Sequence, residues 1–227
     1  QSANGSFHSR ENIVAQSMYW VESGRDPLQV QPFGEVPASL EKNTLLPPLV
    51  APRTRETANK LYRSAGKDVE KFVQSISQFI FDNEFSYTLS PPKLSGDTVD
   101  DFLFRTRAGY CSHYASAAAV MLRSVGIPAR VIGGYQGGEY QPSGNYWIVH
   151  QYDAHAWVEY FLPDAGWRRF DPTAAISPAR IEQGMDGAGS SLNGELLSAY
   201  AVNQWPMIRE LRRSIDYLNY QWIVRVV

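Results

Sequence analysis

The chain has 227 residues, a formal charge of −2, and 44% hydrophobic against 19% charged residues. That is enough apolar material for a core that needs no disulfide or metal staple, and no basic block marks nucleic acid as the partner. No apolar run reaches the roughly eighteen residues of a membrane span, and one cysteine, Cys111, excludes an internal disulfide.

In chain order, residues 1–56 predict an extended, proline-rich arm packed on the rest. Pro27, Pro32, Pro37, Pro47, Pro48 and Pro52 rule out a long helix between them. The start, "QSANGSFHSR", lacks an initiator Met and a charged-then-apolar leader. The expectation is a soluble piece cut from something longer. Residues 57–182 carry the regular patterns and predict the core. In "GKDVEKFVQSISQFIFDNEF", Val69, Phe72, Val73, Ile76, Phe79 and Ile80 recur at steps of three and four, a helix with one buried face. "FSYTL" alternates and predicts a short strand ended by Pro91 and Pro92. "SGDTVDDFLF" offers Asp97 or Thr98 as a helix N-cap with an acid three residues later.

Between Ser112 and Val125 no Gly or Pro interrupts, and Ala115, Ala117, Ala118, Ala119, Val120, Met121 and Leu122 cover nearly the whole circumference. This predicts a helix buried on all sides. Gly126 suits the left-handed position past its end, with Ile127 turning back onto Leu122. "DAHAWVEYF" alternates as a strand, with Ala154, Ala156, Val158 and Tyr160 on a packable face and His155 on the other. "LPDAGW" is a turn into the short strand "GWRRFDPT". "GGYQGGEYQPSG" lacks the phosphate-loop spacing and predicts a hairpin beside the site, a candidate lid. Residues 183–227 predict a loop, "QGMDGAGSSLNG", and a helix striped by Ile208, Leu211, Ile215, Leu218 and Trp222.

The chemistry gathers at Cys111, at the entrance of the alanine-rich helix. Unpaired N–H groups and a partial positive charge there favour thiolate and could hold an oxyanion. The alternative is a small buried hydrophobe. A cysteine nucleophile needs a base, and there are four histidines: His8, His113, His150 and His155. His8 lies in the arm. His113 is two residues from Cys111, and such helix positions point apart. His150 reads as an exposed strand end, which leaves His155, on a rigid strand, as the choice. Asp153, Glu159, Asp164 and Asp171 could orient the imidazole. Asp171, where the last strand stops at Pro172, is preferred. Arg105, Arg107 and Arg130 could hold an anion, and Tyr110, Tyr135 and Trp157 could shape the site or pack the core.

The blocks "GYCSHYASAAAVMLRSVGIPARVIGGY", "DAHAWVEYF" and "GWRRFDPTA" resemble the three core motifs of the transglutaminase-like superfamily, in the order Cys, His, Asp. The flanks resemble the soluble portion of bacterial inner-membrane proteins with a periplasmic core of this kind. The resemblance implies an α+β, papain-like fold with the cysteine helix packed on an antiparallel sheet. It also implies a triad of Cys111, His155 and Asp171, with no metal or organic cofactor. The reaction implied is acyl transfer from protein or peptide glutamine side chains to primary amines through a Cys111 thioester. A periplasmic address is implied, with membrane attachment only through segments absent from this chain. Three rivals remain. One is a cysteine peptidase or amidase using the same triad. Another is an inactive binding module. The third is a metal site from Cys111, His113, His150 and His155, whose spacings match no usual zinc pattern.

Overall fold

The computed structural model describes residues 38–177 except Ser143. The extended arm expected before residue 38, His8, and the expected C-terminal loop and helix lie outside the described residues.

A short 3-10 turn, Ala38–Asn43, leads to helix α1, Pro52–Ser64. Pro52 does not close an arm. It opens a helix, because proline at the first position loses no intrahelical hydrogen bond and already has a helical φ. Helix α1 therefore runs across the expected boundary at residue 56. Thr54 and Ala58 are its buried residues, so no long apolar stripe announces it in the sequence. Helix α2, Val69–Asp82, is capped by Asp68, whose carboxylate accepts from the Lys71 N–H at 2.9 Å. It buries Phe72, Ile76 and Ile80 as the spacing requires, each worth about 1.5–3 kcal/mol when fully buried.

Strand β1, Ser86–Tyr87, pairs in parallel with β2, Ala108–Gly109. Between them lie helix α3, Thr98–Asp101, and a π-helical turn, Phe102–Thr106. Asp97 is the α3 cap, accepting from Val99 and Asp100 N–H groups. The acid three residues on does not close a capping box. Asp100 reaches across to α1, where its carboxylate accepts from the Arg53 and Thr54 N–H groups and from Thr54 Oγ1 at 2.6 Å. Asp97 also takes the Ala51 N–H at 2.6 Å. Two acids of one short helix thus satisfy the orphan donors at the start of another.

Helix α4, Cys111–Ser124, is the central helix. Tyr114, Ala115, Ala117, Ala118, Ala119, Met121 and Leu122 are buried, but Ser116 is exposed and Ser112 half-buried. The helix is therefore not enclosed on every side: the serine flank faces a cleft. Gly126 has φ 81° and the Ile127 N–H reaches the Leu122 carbonyl at 3.1 Å, the expected left-handed termination. The sheet beneath consists of β3, Ala129–Tyr135, β6, Ala154–Leu162, and β7, Gly166–Phe170, antiparallel with β6 in the middle. Helix α4 packs on β6 and β3 and also on α1. The alanines make this approach possible, and the fold is the expected mixed helix-and-sheet architecture. The glycine-rich segment forms a separate hairpin of β4, Glu139–Gln141, and β5, Tyr146–Ile148.

Candidate active site

Cys111 is the first residue of α4 and is half-buried. The helix mouth around it is fixed from two directions. The Tyr110 N–H donates to His113 Nδ1 at 3.4 Å, and the His113 N–H donates to the Tyr110 carbonyl at 2.8 Å. The His113 ring stands edge-on to Tyr110, with ring centres 4.4 Å apart. Burial holds the His113 pKa below the ordinary imidazole value, as an imidazole that accepts at Nδ1 requires. His113 is a neutral cap.

Gly109 is there for space. A Cβ on it would fall 2.8 Å from His113 Cγ and 3.0 Å from a Phe102 ring carbon. Sequence reasoning passed over it, and its only signal was a glycine two residues ahead of a reactive residue type.

His155 projects from β6, is 3% exposed, and pairs in register with Gly134 of β3. The expected alternation of β6 is blurred: Ala154 is exposed and Ala156 half-buried, while His155, Val158, Tyr160 and Phe161 are buried. His155 Nε2 lies 2.6 Å from Asp171 Oδ2. The other Asp171 oxygen accepts from the Thr173 N–H at 3.1 Å, which caps the turn Pro172–Ala175. The carboxylate is thereby aimed by its own backbone at the imidazole.

The Cys111 side chain acts on the same ring. Burial alone pushes the His155 pKa down, but Asp171 and then Cys111 outweigh it, and the result lies above the ordinary value. With Nε2 committed to Asp171, Nδ1 is the nitrogen left for the thiol. Nδ1 is buried and makes no hydrogen bond of ordinary geometry. Catalytic hydrogen bonds are often loose before substrate arrives.

Trp157 covers this pair, its ring 6.3 Å from the His155 ring and tilted by 25°. Arg169 lies over the Trp157 ring, 4.3 Å from its centre, and its Nη2 bonds Gln136 Oε1 at 2.5 Å and stands 3.8 Å from Asp171 Oδ2. Gly134 leaves room for the indole, because a Cβ there would meet Trp157 Cη2 at 2.7 Å.

The remaining candidates go elsewhere. His150 is half-buried, not exposed. It stacks on Tyr152 at 4.6 Å, and its N–H donates to Asp153 at 2.9 Å. Asp153 is buried in that turn, and Asp164 is exposed. Glu159 pairs with Arg130, which also lies over Trp167. Arg105 pairs with Asp101, and Arg107 donates to the Asn83 carbonyl at 3.2 Å. Tyr135 is exposed. Among the described residues, no three His, Cys, Asp or Glu side chains gather as metal ligands, and no helix is long and apolar enough to cross a membrane.

Comparison with known proteins agrees with this architecture. The family model described as Transglutaminase-like superfamily matches residues 55–172. A protein-glutamine gamma-glutamyltransferase from Pseudomonas aeruginosa is 46% identical over 222 residues, 95% of this chain and 33% of that protein. Uncharacterized protein YebA from Bacillus subtilis is 39% identical over 144 residues, 60% of this chain and 19% of that protein. The crystal structure of the periplasmic domain of TgpA from Pseudomonas aeruginosa superposes with a TM-score of 0.64 at 49% identity, covering 66% of this chain and 52% of that one. The chain thus spans about a third of the length of the named transferase. The matched family model takes in both the cysteine helix and the sheet beneath it, and the chain belongs to the transglutaminase-like superfamily.

Proposed function

We propose that this chain is the catalytic portion of a periplasmic protein-glutamine gamma-glutamyltransferase, with Cys111 as nucleophile, His155 as base and acid, and Asp171 as the orienting carboxylate. One observation supports it above the others: a single buried imidazole is held at 2.6 Å by a carboxylate while a thiol at a helix N-terminus acts on the same ring. Its relatives support acyl transfer and the periplasmic setting.

In this reading, His155 takes the Cys111 proton and the sulfur attacks the carbonyl carbon of a glutamine side chain. The N–H groups of the first turn of α4 face the negative charge that develops on oxygen. The imidazolium, stabilised by Asp171, gives its proton to the departing nitrogen, and ammonia leaves. A thioester remains on Cys111. A primary amine then attacks it, His155 accepts the amine proton, and the thiol is restored as the isopeptide departs. Water in place of the amine yields glutamate.

The test is incubation of a glutamine donor protein with a labelled primary amine. Amine incorporation by the wild type, absent in Cys111→Ala, is the expected result. Release of ammonia or peptide cleavage without any incorporation assigns the same centre to hydrolysis.

A further inference from the structure

Beside Cys111 lies a cleft of about 180 Å³ that the proposed chemistry leaves unused. Leu94, Val99 and Phe102 form its apolar wall and floor, and Tyr110, His113 and Ser116 its flank on the α4 side. Lining residues Tyr110 and Ser112 flank Cys111 in the chain, although Cys111 is not itself a lining residue. None of the lining residues belongs to β3, β6 or β7, the sheet that carries His155.

The cleft is built. Leu94 sits on a loop with both its neighbours tied down. The Ser95 N–H donates to Asp101 Oδ2 at 2.7 Å, and Arg105 Nη2 donates to the Lys93 carbonyl at 3.1 Å. Asp101 and Arg105 are bonded to each other, Nη2 to Oδ2 at 2.6 Å. The ion pair therefore fixes the wall from outside, and no Asp, Glu, Lys or Arg side chain lines the interior.

Resting on the function proposed above, we infer that this cleft is a subsite for an uncharged, apolar side chain adjoining the reactive glutamine of the acyl donor. The direction follows from the chemistry. The departing ammonia and the incoming amine must both lie at His155, the proton carrier. The acyl part of the donor, and the chain it belongs to, leaves the sulfur on the other side. An apolar side chain replaces water against Leu94, Val99 and Phe102, whereas an acidic one would be desolvated against them, with only the hydroxyls of Thr98, Ser112 and Ser116 and the polar groups of Tyr110 and His113 to meet it.

The experiment uses two short peptides in which 6-diazo-5-oxonorleucine replaces glutamine, flanked on both sides by leucine in one and by aspartate in the other. The sulfur bonds the probe's diazo carbon, that carbon takes up the thiol proton, and dinitrogen leaves. Mass spectrometry locates the adduct, and the inactivation kinetics separate KI from the maximal rate. The wild type should show a KI about tenfold lower for the leucine probe. Ser116→Phe, at an exposed helix position, should fill the cleft and raise that KI at least about fivefold. It should leave the maximal rate and the aspartate probe unchanged. Leu94→Ala should weaken the leucine probe alone by removing the wall. Equal KI values for the two probes in the wild type, or equal effects of Ser116→Phe on both, would overturn the subsite while leaving the nucleophile intact. No adduct on Cys111 with either probe would overturn the proposed function, and the subsite with it.

Discussion

Asp171 carries two demands at once. One oxygen faces His155 Nε2 at 2.6 Å and the other is taken by its own turn through the Thr173 N–H. Replacing it by asparagine keeps the size and the turn bond but removes the charge that favours imidazolium. On the proposed mechanism, Asp171→Asn should lower kcat by about 10²–10⁴. The sign of its pH effect also follows. Asp171 and Cys111 hold the His155 pKa above its ordinary value, so the proton needed by the leaving group persists as pH rises. In Asp171→Asn the alkaline limb of kcat/KM should move to lower pH, because burial then acts against a weaker opposing charge. An unchanged limb would show that another group donates that proton. The three residues of the proposed triad, Cys111, His155 and Asp171, were candidates in the sequence because Cys and His are scarce and Asp171 follows the last strand. Trp157, Arg169 and Gln136 could not be linked to them, since their contacts join three separate segments.

At the scale of elements, the mouth of α4 depends on close approach. Gly109→Ala puts a methyl 2.8 Å from His113 Cγ and 3.0 Å from a Phe102 ring carbon, against the side chains of two rings that also pack on each other. Overpacking of this kind costs about 1–3 kcal/mol, and the shift falls on the turn that presents Cys111. The expected outcome is a lower urea midpoint together with a loss of activity larger than the fraction unfolded explains. Asp97 gives a second prediction. Burial pushes its pKa up, but N–H groups of Asp100, Ala51 and Val99 outweigh that and the carboxyl ends below its ordinary value. Its contribution is present above the ordinary aspartate range, near ~3.9, and is lost as pH falls through its lowered value. Asp97→Asn should therefore flatten the acid side of the stability profile, at a cost near neutrality of about 1 kcal/mol for the weakened cap. Urea midpoints across pH would show it. Helix α2 was legible because its period is set by burial on this core, and helix α4 because an unbroken, alanine-rich run lies between Cys111 and Gly126. Helix α1 was not, since its stability comes from Asp97 and Asp100, some 46 residues away in the chain.

Taken whole, the site exists only where helix α4 meets the β3–β6–β7 sheet. Cys111 comes from the helix entrance, His155 from the central strand and Asp171 from the stop of the last one. Nothing local holds the three together, so the site should vanish with the fold. Selective iodoacetamide labelling of Cys111 and far-ultraviolet circular dichroism should be lost in one thermal transition. Labelling that stays selective after the dichroism is gone would mean that reactivity does not depend on this assembly. The most direct measurement of the central claim is intact-mass capture of the acyl-enzyme. The wild type mixed with a glutamine donor should gain the donor's mass less ammonia, on Cys111, and lose it when a primary amine is added as the isopeptide product appears. An unmodified Cys111 under conditions where the donor is consumed, or turnover that survives in Cys111→Ala, would contradict it.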